Sequence, residues 1–191
     1  TITTNIQKLI SGFNRGRYYR EGVSAVLLGK TNSGKSTIFN TLLNEDKAIV
    51  SDIHGTTRDY LDGVINISGF GVRIYDTAGL RQTDDPIERE GTRRSLELSE
   101  KSDIILYVID GTSELGENIE NIKSLDPNKK TIYIINKTDH KDFKNDIENQ
   151  IKEIIPSIKY QICKISALQQ DGIENFNKAF EDILIENQDF D

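Results

Sequence analysis

Residues Gly29-Lys30-Thr31-Asn32-Ser33-Gly34-Lys35-Ser36 constrain the fold more than any other feature of this sequence. They fit the pattern G-x-x-x-x-G-K-[ST]. They follow a short apolar run, Val23 to Leu28, and precede a stretch with Ile38, Phe39, Leu42 and Leu43 at helical spacing. A buried strand, a glycine-rich turn and a helix are the context in which such a loop holds phosphate. The glycines let the backbone curl so that successive N–H groups point at phosphate oxygens, and the helix N-terminus adds its positive end. Lys35 is expected to reach the β and γ phosphates of a nucleotide, and the Ser36 hydroxyl to ligate Mg²⁺. Asn32, Ser33, Gly34 and Thr37 are expected to contact the same nucleotide.

The rest of the chain alternates strand and helix patterns around that loop. Residues 1–16 carry Ile6, Leu9, Ile10 and Phe13 as a one-sided helical stripe, weakened by Gly12 and Gly16 and ended by Gly22. Residues 44–61 read as a long polar loop. Leu61 to Asp76 alternates on both sides of Ser68-Gly69-Phe70-Gly71, the pattern of a hairpin. A loop at 77–86 and a helix at 87–101 come next. Asp103 to Asp110 reads as a buried strand, 116–125 as a helix, Thr131 to Asn136 as a strand and 142–155 as a helix. A strand at 160–165 and a helix at 172–186 complete the chain. The fold class is therefore α/β: about six strands, mostly parallel, one antiparallel edge strand from the hairpin, and helices on both faces.

Composition narrows the chemistry. At 191 residues the chain is one domain, and a chain of this size buries roughly 70% of its unfolded surface without staples. One cysteine, Cys163, excludes a disulfide scaffold and a cysteine metal cluster. No apolar run approaches a membrane span, so a cytoplasmic location is expected. Twenty-four basic against 31 acidic residues leave a net charge of −7, a poor endowment for gripping a nucleic-acid backbone unaided. Any RNA is expected to be held by another domain or a partner. Methionine is absent, the initiator included, which fits a piece of a longer protein. The expected organisation is a helical connection at 1–22, a nucleotide-binding domain at 23–187 and a cut end at 188–191.

Asn136-Lys137-Thr138-Asp139 closes a predicted strand. The Asp139 carboxylate can accept hydrogen bonds from the ring N–H and exocyclic amine of guanine, donors that adenine lacks at that edge. Lys137 can lay its stem along the base. Ser166-Ala167-Leu168, after the last predicted strand, can offer a backbone N–H to guanine O6. Asp76-Thr77-Ala78-Gly79 ends the hairpin, where Asp76 can hold Mg²⁺ through water and the Gly79 N–H can meet the γ-phosphate. A threonine of Gly55-Thr56-Thr57-Arg58-Asp59 can close on Mg²⁺ when the third phosphate is present.

These are the five motifs of a small GTPase, and the chain resembles the G domains of the MnmE (TrmE) tRNA-modification GTPases over essentially its whole length. The resemblance lies in Asn32 within the phosphate loop and in the run Ala48-Ile49-Val50-Ser51-Asp52-Ile53-His54-Gly55-Thr56-Thr57-Arg58-Asp59. It lies also in Asp76-Thr77-Ala78-Gly79-Leu80-Arg81 followed by Ile87-Glu88-Arg89-Glu90-Gly91, and in Gly16-Arg17-Tyr18-Tyr19-Arg20-Glu21-Gly22. It implies a Ras-like P-loop fold and GTP hydrolysis to GDP and phosphate. It further implies a K⁺ ion beside the phosphates held by Asn32, the Ser51 and Ile53 carbonyls and Thr56, with Mg²⁺ held by Ser36 and Thr57. Ras-type enzymes orient water with a glutamine at the position of Leu80; here the resemblance assigns that task to Glu88, with Arg81 in support. Asp52, His54 and Gly55 belong to the same nucleotide-contacting loop. Dimerisation through the switch face, the flavoprotein MnmG and tRNA are the implied partners. Family members also carry a folate-binding domain and a Cys-x-Gly-Lys end, so the chain reads as an excised G domain. A ribosome-assembly GTPase of the Der or Era type, and a slow GTP-binding switch, stand as the alternatives.

Overall fold

The computed structural model describes residues 16–45, 61–76, 97–155 and 159–185. Residues 16–21 are helical (α1), and Gly22, at φ +80, turns the chain into strand β1, Val23–Gly29. Helix α2, Lys35–Glu45, follows the phosphate loop. Strands β2, Leu61–Ile67, and β3, Phe70–Asp76, form the expected hairpin. Its two-residue turn places Ser68 and Gly69 at φ 52 and φ 86, the doubly left-handed geometry that matches strand twist. The Asn66 carboxamide accepts the Gly69 N–H at 2.8 Å and closes the turn.

Residues 97–101 are helical (α3) and lead to β4, Ile104–Asp110. Helix α4, Gly116–Lys123, strand β5, Lys130–Asn136, helix α5, Ile147–Ile154, strand β6, Tyr160–Lys164, and helix α6, Ile173–Ile185, complete the described chain. The helix expected from residue 142 begins only at Ile147. Backbone bonds in between run elsewhere: the Phe143 N–H reaches the His140 carbonyl and the Lys144 N–H reaches the Gly111 carbonyl, at 3.0 and 2.8 Å. Asp142, Asn145 and Asp146 favour turns over helix, and the segment is instead held to Gly111 through the Lys144 N–H.

The sheet order is β2-β3-β1-β4-β5-β6, with β2 antiparallel and the other pairings parallel. The central strands are buried on both faces, which is why their sequences are unbroken apolar runs. One face carries Ala25, Leu27, Leu106 and Ile134 against Ile38 and Phe39 of α2 and Phe176 and Phe180 of α6. Tyr18 of α1 is buried in the same cluster. The opposite face carries Val26, Ile105, Tyr107 and Ile135 against Leu115, Ile122, Ile147 and Ile151 from the α4 and α5 side. Among the described residues no helix is long and apolar enough to cross a membrane.

Candidate functional site

Parallel strands between two helical layers leave one edge open at their C-terminal ends, where ligands of such sheets bind. Here β1 ends at Gly29, β3 at Asp76, β4 at Asp110 and β5 at Asn136. Each of the described candidate residues lies at this edge or in the loops that leave it.

The phosphate loop departs sharply from β1. Gly29 sits at φ +135, and a Cβ there would lie 2.2 Å from the Val108 carbonyl oxygen, so only glycine lets the loop cross β4 so closely. Gly34 sits at φ +98, where a Cβ would meet the Asn136 carboxamide at 2.1 Å. Asn32, exposed at the loop's outer turn, is left-handed at φ 63. Lys35 opens α2 with 6% exposure, and its ammonium donates to the carbonyls of Gly29 and Lys30 at 2.9 and 2.6 Å. The charge thus arches back over its own loop, where phosphate oxygens would sit. Ser36 and Thr37 are exposed. The Ser36 hydroxyl faces the Asp76 carboxylate at 3.5 Å, and Asp76 itself is buried. A hydroxyl and a carboxylate converging from α2 and β3 are hard oxygen donors that fit Mg²⁺.

The base side is assembled from three loops that Asn136 ties together. Asn136 is buried; its Nδ2 donates to the Ser33 carbonyl at 3.0 Å and its Oδ1 accepts the Ala167 N–H at 3.1 Å. The Thr41 hydroxyl of α2 donates to the Ala167 carbonyl at 3.1 Å. Lys137, left-handed at φ 68, sends its ammonium to the Asp110 carboxylate at 2.5 Å. The other Asp110 oxygen accepts the N–H and hydroxyl of Thr112 at 2.9 and 2.7 Å. Burial alone would push the Asp110 carboxyl up; Lys137 and Thr112 outweigh it and hold it below the usual carboxylate range. Asp139 is exposed, and one of its oxygens accepts the Ser166 hydroxyl at 2.6 Å. Ser166 is in turn fixed by reciprocal backbone bonds with Asp171 at 3.0 and 3.1 Å. Leu168 stands 75% exposed beside it.

The structure therefore brings Asn32, Ser33, Gly34, Lys35, Ser36, Thr37, Asp76, Asn136, Lys137, Asp139, Ser166, Ala167 and Leu168 to one edge. Ser51, Asp52, Ile53, His54, Gly55, Thr56, Thr57, Thr77, Ala78, Gly79, Leu80, Arg81 and Glu88 lie outside the described residues. Sequence reasoning had placed no role on Thr41, Asp110 or Thr112. The one signal for Asp110 was its position at the C-terminal end of a buried strand; nothing in the sequence pointed to Thr41, whose hydroxyl matters only through its contact with Ala167.

The model of the 50S ribosome-binding GTPase family matches residues 24–137. Relatives named tRNA modification GTPase MnmE include those of Natranaerobius thermophilus and Alkaliphilus oremlandii. The first is 37% identical over 96% of this chain and 39% of its own length, the second 41% identical over 96% and 39%. The chain thus spans about 39% of the length of these relatives. A GTP-binding protein of Sulfolobus solfataricus, solved in complex with GDP, superimposes with a TM-score of 0.61 at 21% identity, over 96% of this chain and 58% of that one. The FeoB G-domain of Methanococcus jannaschii superimposes at 0.59 with 22% identity, over 86% of this chain and 98% of that one. Those two show a shared Ras-like G-domain fold. With its phosphate loop, its asparagine-braced base loops and a family match over more than half its length, the chain belongs to the 50S ribosome-binding GTPase family, as a G domain of the kind found in the MnmE GTPases.

Proposed function

We propose that this G domain hydrolyses GTP, with Mg²⁺ and K⁺, in the cytoplasm as the motor of a tRNA wobble-uridine modification enzyme. The observation that carries the reading is the pair of hydrogen bonds made by the Asn136 carboxamide, which couples the phosphate loop at Ser33 to the loop at Ala167. A ligand filling both ends must carry phosphates and a base at a set separation. Asp139, steadied by Ser166, presents an acceptor for the two guanine donors, which adenine lacks at that edge. Lys35 neutralises phosphate charge, and its loop carbonyls hold it there before the ligand arrives.

Ser36 and Thr57 would hold Mg²⁺, with Asp76 behind a water; bound there, the ion offsets phosphate charge. Asn32, through a neutral carboxamide, with Ser51, Ile53 and Thr56, would hold K⁺ beside the phosphates in place of an arginine finger. Glu88 orients the attacking water, since Leu80 has no hydrogen-bonding group, and Arg81 supports Glu88 electrostatically. Asp52, His54, Gly55, Thr77, Ala78 and Gly79 complete the contacts to the nucleotide, Gly79 through its N–H to the γ-phosphate. The partners on this reading are a second G domain across the switch face, the flavoprotein MnmG, and tRNA held by other domains. The tRNA assignment draws on relatives matched along 95–98% of the chain, which all carry that name.

Asp139→Asn tests the base assignment. The substitution replaces an acceptor with a donating amide, which suits xanthine. Affinity for GDP should fall by about 1–3 kcal/mol, roughly five- to 150-fold, while xanthosine diphosphate binds more tightly than to wild type. Unchanged GDP affinity in a titration would remove Asp139 from base recognition. Phosphate release from Glu88→Ala should drop on the order of a hundredfold with GDP binding retained.

A further inference from the structure

We propose that Asp110 is a positioning residue of the base site: it pins the Lys137 ammonium so that the lysine stem forms a fixed floor for the guanine ring. This rests on the guanine-nucleotide reading above and adds to it a residue outside the nucleotide motifs. Three observations carry it. Lys137 adopts φ 68, a left-handed backbone that a long side chain adopts only when its surroundings hold it there. Its ammonium meets Asp110 at 2.5 Å, with the two side chains 34% and 19% exposed, so the pair is shielded well beyond an ordinary surface pair. The Asp110 carboxylate cannot swing away, because its other oxygen accepts both the N–H and the hydroxyl of Thr112.

The loop that carries Asp110 is itself clamped to the base loops. The Gly111 N–H donates to the Asn136 carbonyl at 2.9 Å, and the Gly111 carbonyl accepts the Lys144 N–H at 2.8 Å. A Cβ at Gly111 would fall 2.4 Å from the Phe143 ring, so glycine permits this close approach. Lys144 also pairs with Glu114 at the end of the same loop. Lys137 has four rotatable side-chain bonds, and freezing them on ligand arrival would oppose binding. With Asp110 in place most of that ordering precedes the ligand, and the gain should appear as slower nucleotide release.

A double-mutant cycle read by release of a fluorescent GDP analogue tests this in the folded chain. Asp110→Asn should release the nucleotide roughly tenfold faster than wild type, as expected for loss of a charge-assisted contact. In a Lys137→Met background the same change should alter release by less than about twofold, because Asp110 acts through Lys137. Thr112→Val should act in the same direction with a smaller, few-fold effect, again only when Lys137 is present. Wild-type release from Asp110→Asn would overturn the proposal. So would an Asp110→Asn effect of equal size in both backgrounds, which would mean that Asp110 merely holds its loop. If Asp110→Asn fails to melt cooperatively, the Thr112→Val and Lys137→Met cycle gives the same decision. Failure of the wild-type chain to bind guanine nucleotide at all would sink the functional reading itself, a result distinct from each of these.

Discussion

Asn136 makes its two bonds from a site only 3% exposed, and both partners are backbone groups of other loops. Removing its carboxamide orphans the Ser33 carbonyl and the Ala167 N–H together. Each orphaned buried group costs about 1–3 kcal/mol. Asn136→Ala should therefore lower the melting temperature by several degrees, at roughly 2–4 °C per kcal/mol for a domain of this size. It should also loosen GDP, because the phosphate and base loops are no longer tied. Differential scanning calorimetry with and without GDP checks both, and a variant that melts like wild type would show that neither loop depends on Asn136. Asp139 and the phosphate-loop glycines were legible from the sequence because their chemistry is local to a motif. The partners of Asn136 were not, since Ser33 and Ala167 are brought to it by two loops far from it in the chain.

Among the described elements, α1, β1 and β4 are joined by a cluster of polar bonds. Asp103, just ahead of β4, accepts the Ser24 N–H and hydroxyl at 2.9 and 2.7 Å and the Arg17 guanidinium at 2.7 Å. Burial alone would push the Asp103 carboxyl up; the Ser24 bonds and Arg17 outweigh it and hold it below the usual carboxylate range. A carboxyl depressed in the folded state stabilises the fold above its unfolded value of about 3.9 and loses that contribution as pH falls through the folded value. Asp110 adds to the same window with the same sign. Thermal unfolding should therefore be steady from neutral pH to about pH 5 and fall below about pH 4. Asp103→Asn should melt lower at pH 7 and show a shallower acid decline; an unchanged acid limb would clear Asp103 of that role. Periodicity predicted where β1 and β4 run but not that Asp103 bolts them together, because an aspartate before a strand looks like any polar boundary residue. The start of α5 was not legible for a related reason: Asp142, Asn145 and Asp146 are weak helix formers inside an otherwise periodic stretch, and the segment turns on a contact with Gly111 far away in sequence.

At the scale of the molecule, the proposed mechanism needs a group that offsets charge on the bridging oxygen. Leu80 cannot orient water, and no arginine finger is assignable in the sequence. On the proposed reading, K⁺ and a second G domain supply what is missing when the transition state forms. Light scattering should find a monomer with GDP and a dimer with GDP plus aluminium fluoride in K⁺ buffer. Na⁺, smaller and more strongly hydrated, should support neither dimer nor fast phosphate release. Asn32→Ala should abolish the difference between the two salts while GDP still binds. Equal mass and equal turnover in K⁺ and Na⁺ would take potassium out of the mechanism.

What the sequence determined by itself was everything written in short-range pattern. Unbroken apolar runs specified the central strands, alternation specified the hairpin, and glycine spacing specified the phosphate loop, because each depends on backbone sterics and side-chain period within a few residues. The tertiary structure alone decided the contacts between loops far apart in the chain: Asn136 with Ser33 and Ala167, Lys137 with Asp110, and Asp103 with Ser24 and Arg17. Such pairs leave no local signature. A polar side chain finds its partner only after parallel strands align their ends, and burial then makes the bond obligatory.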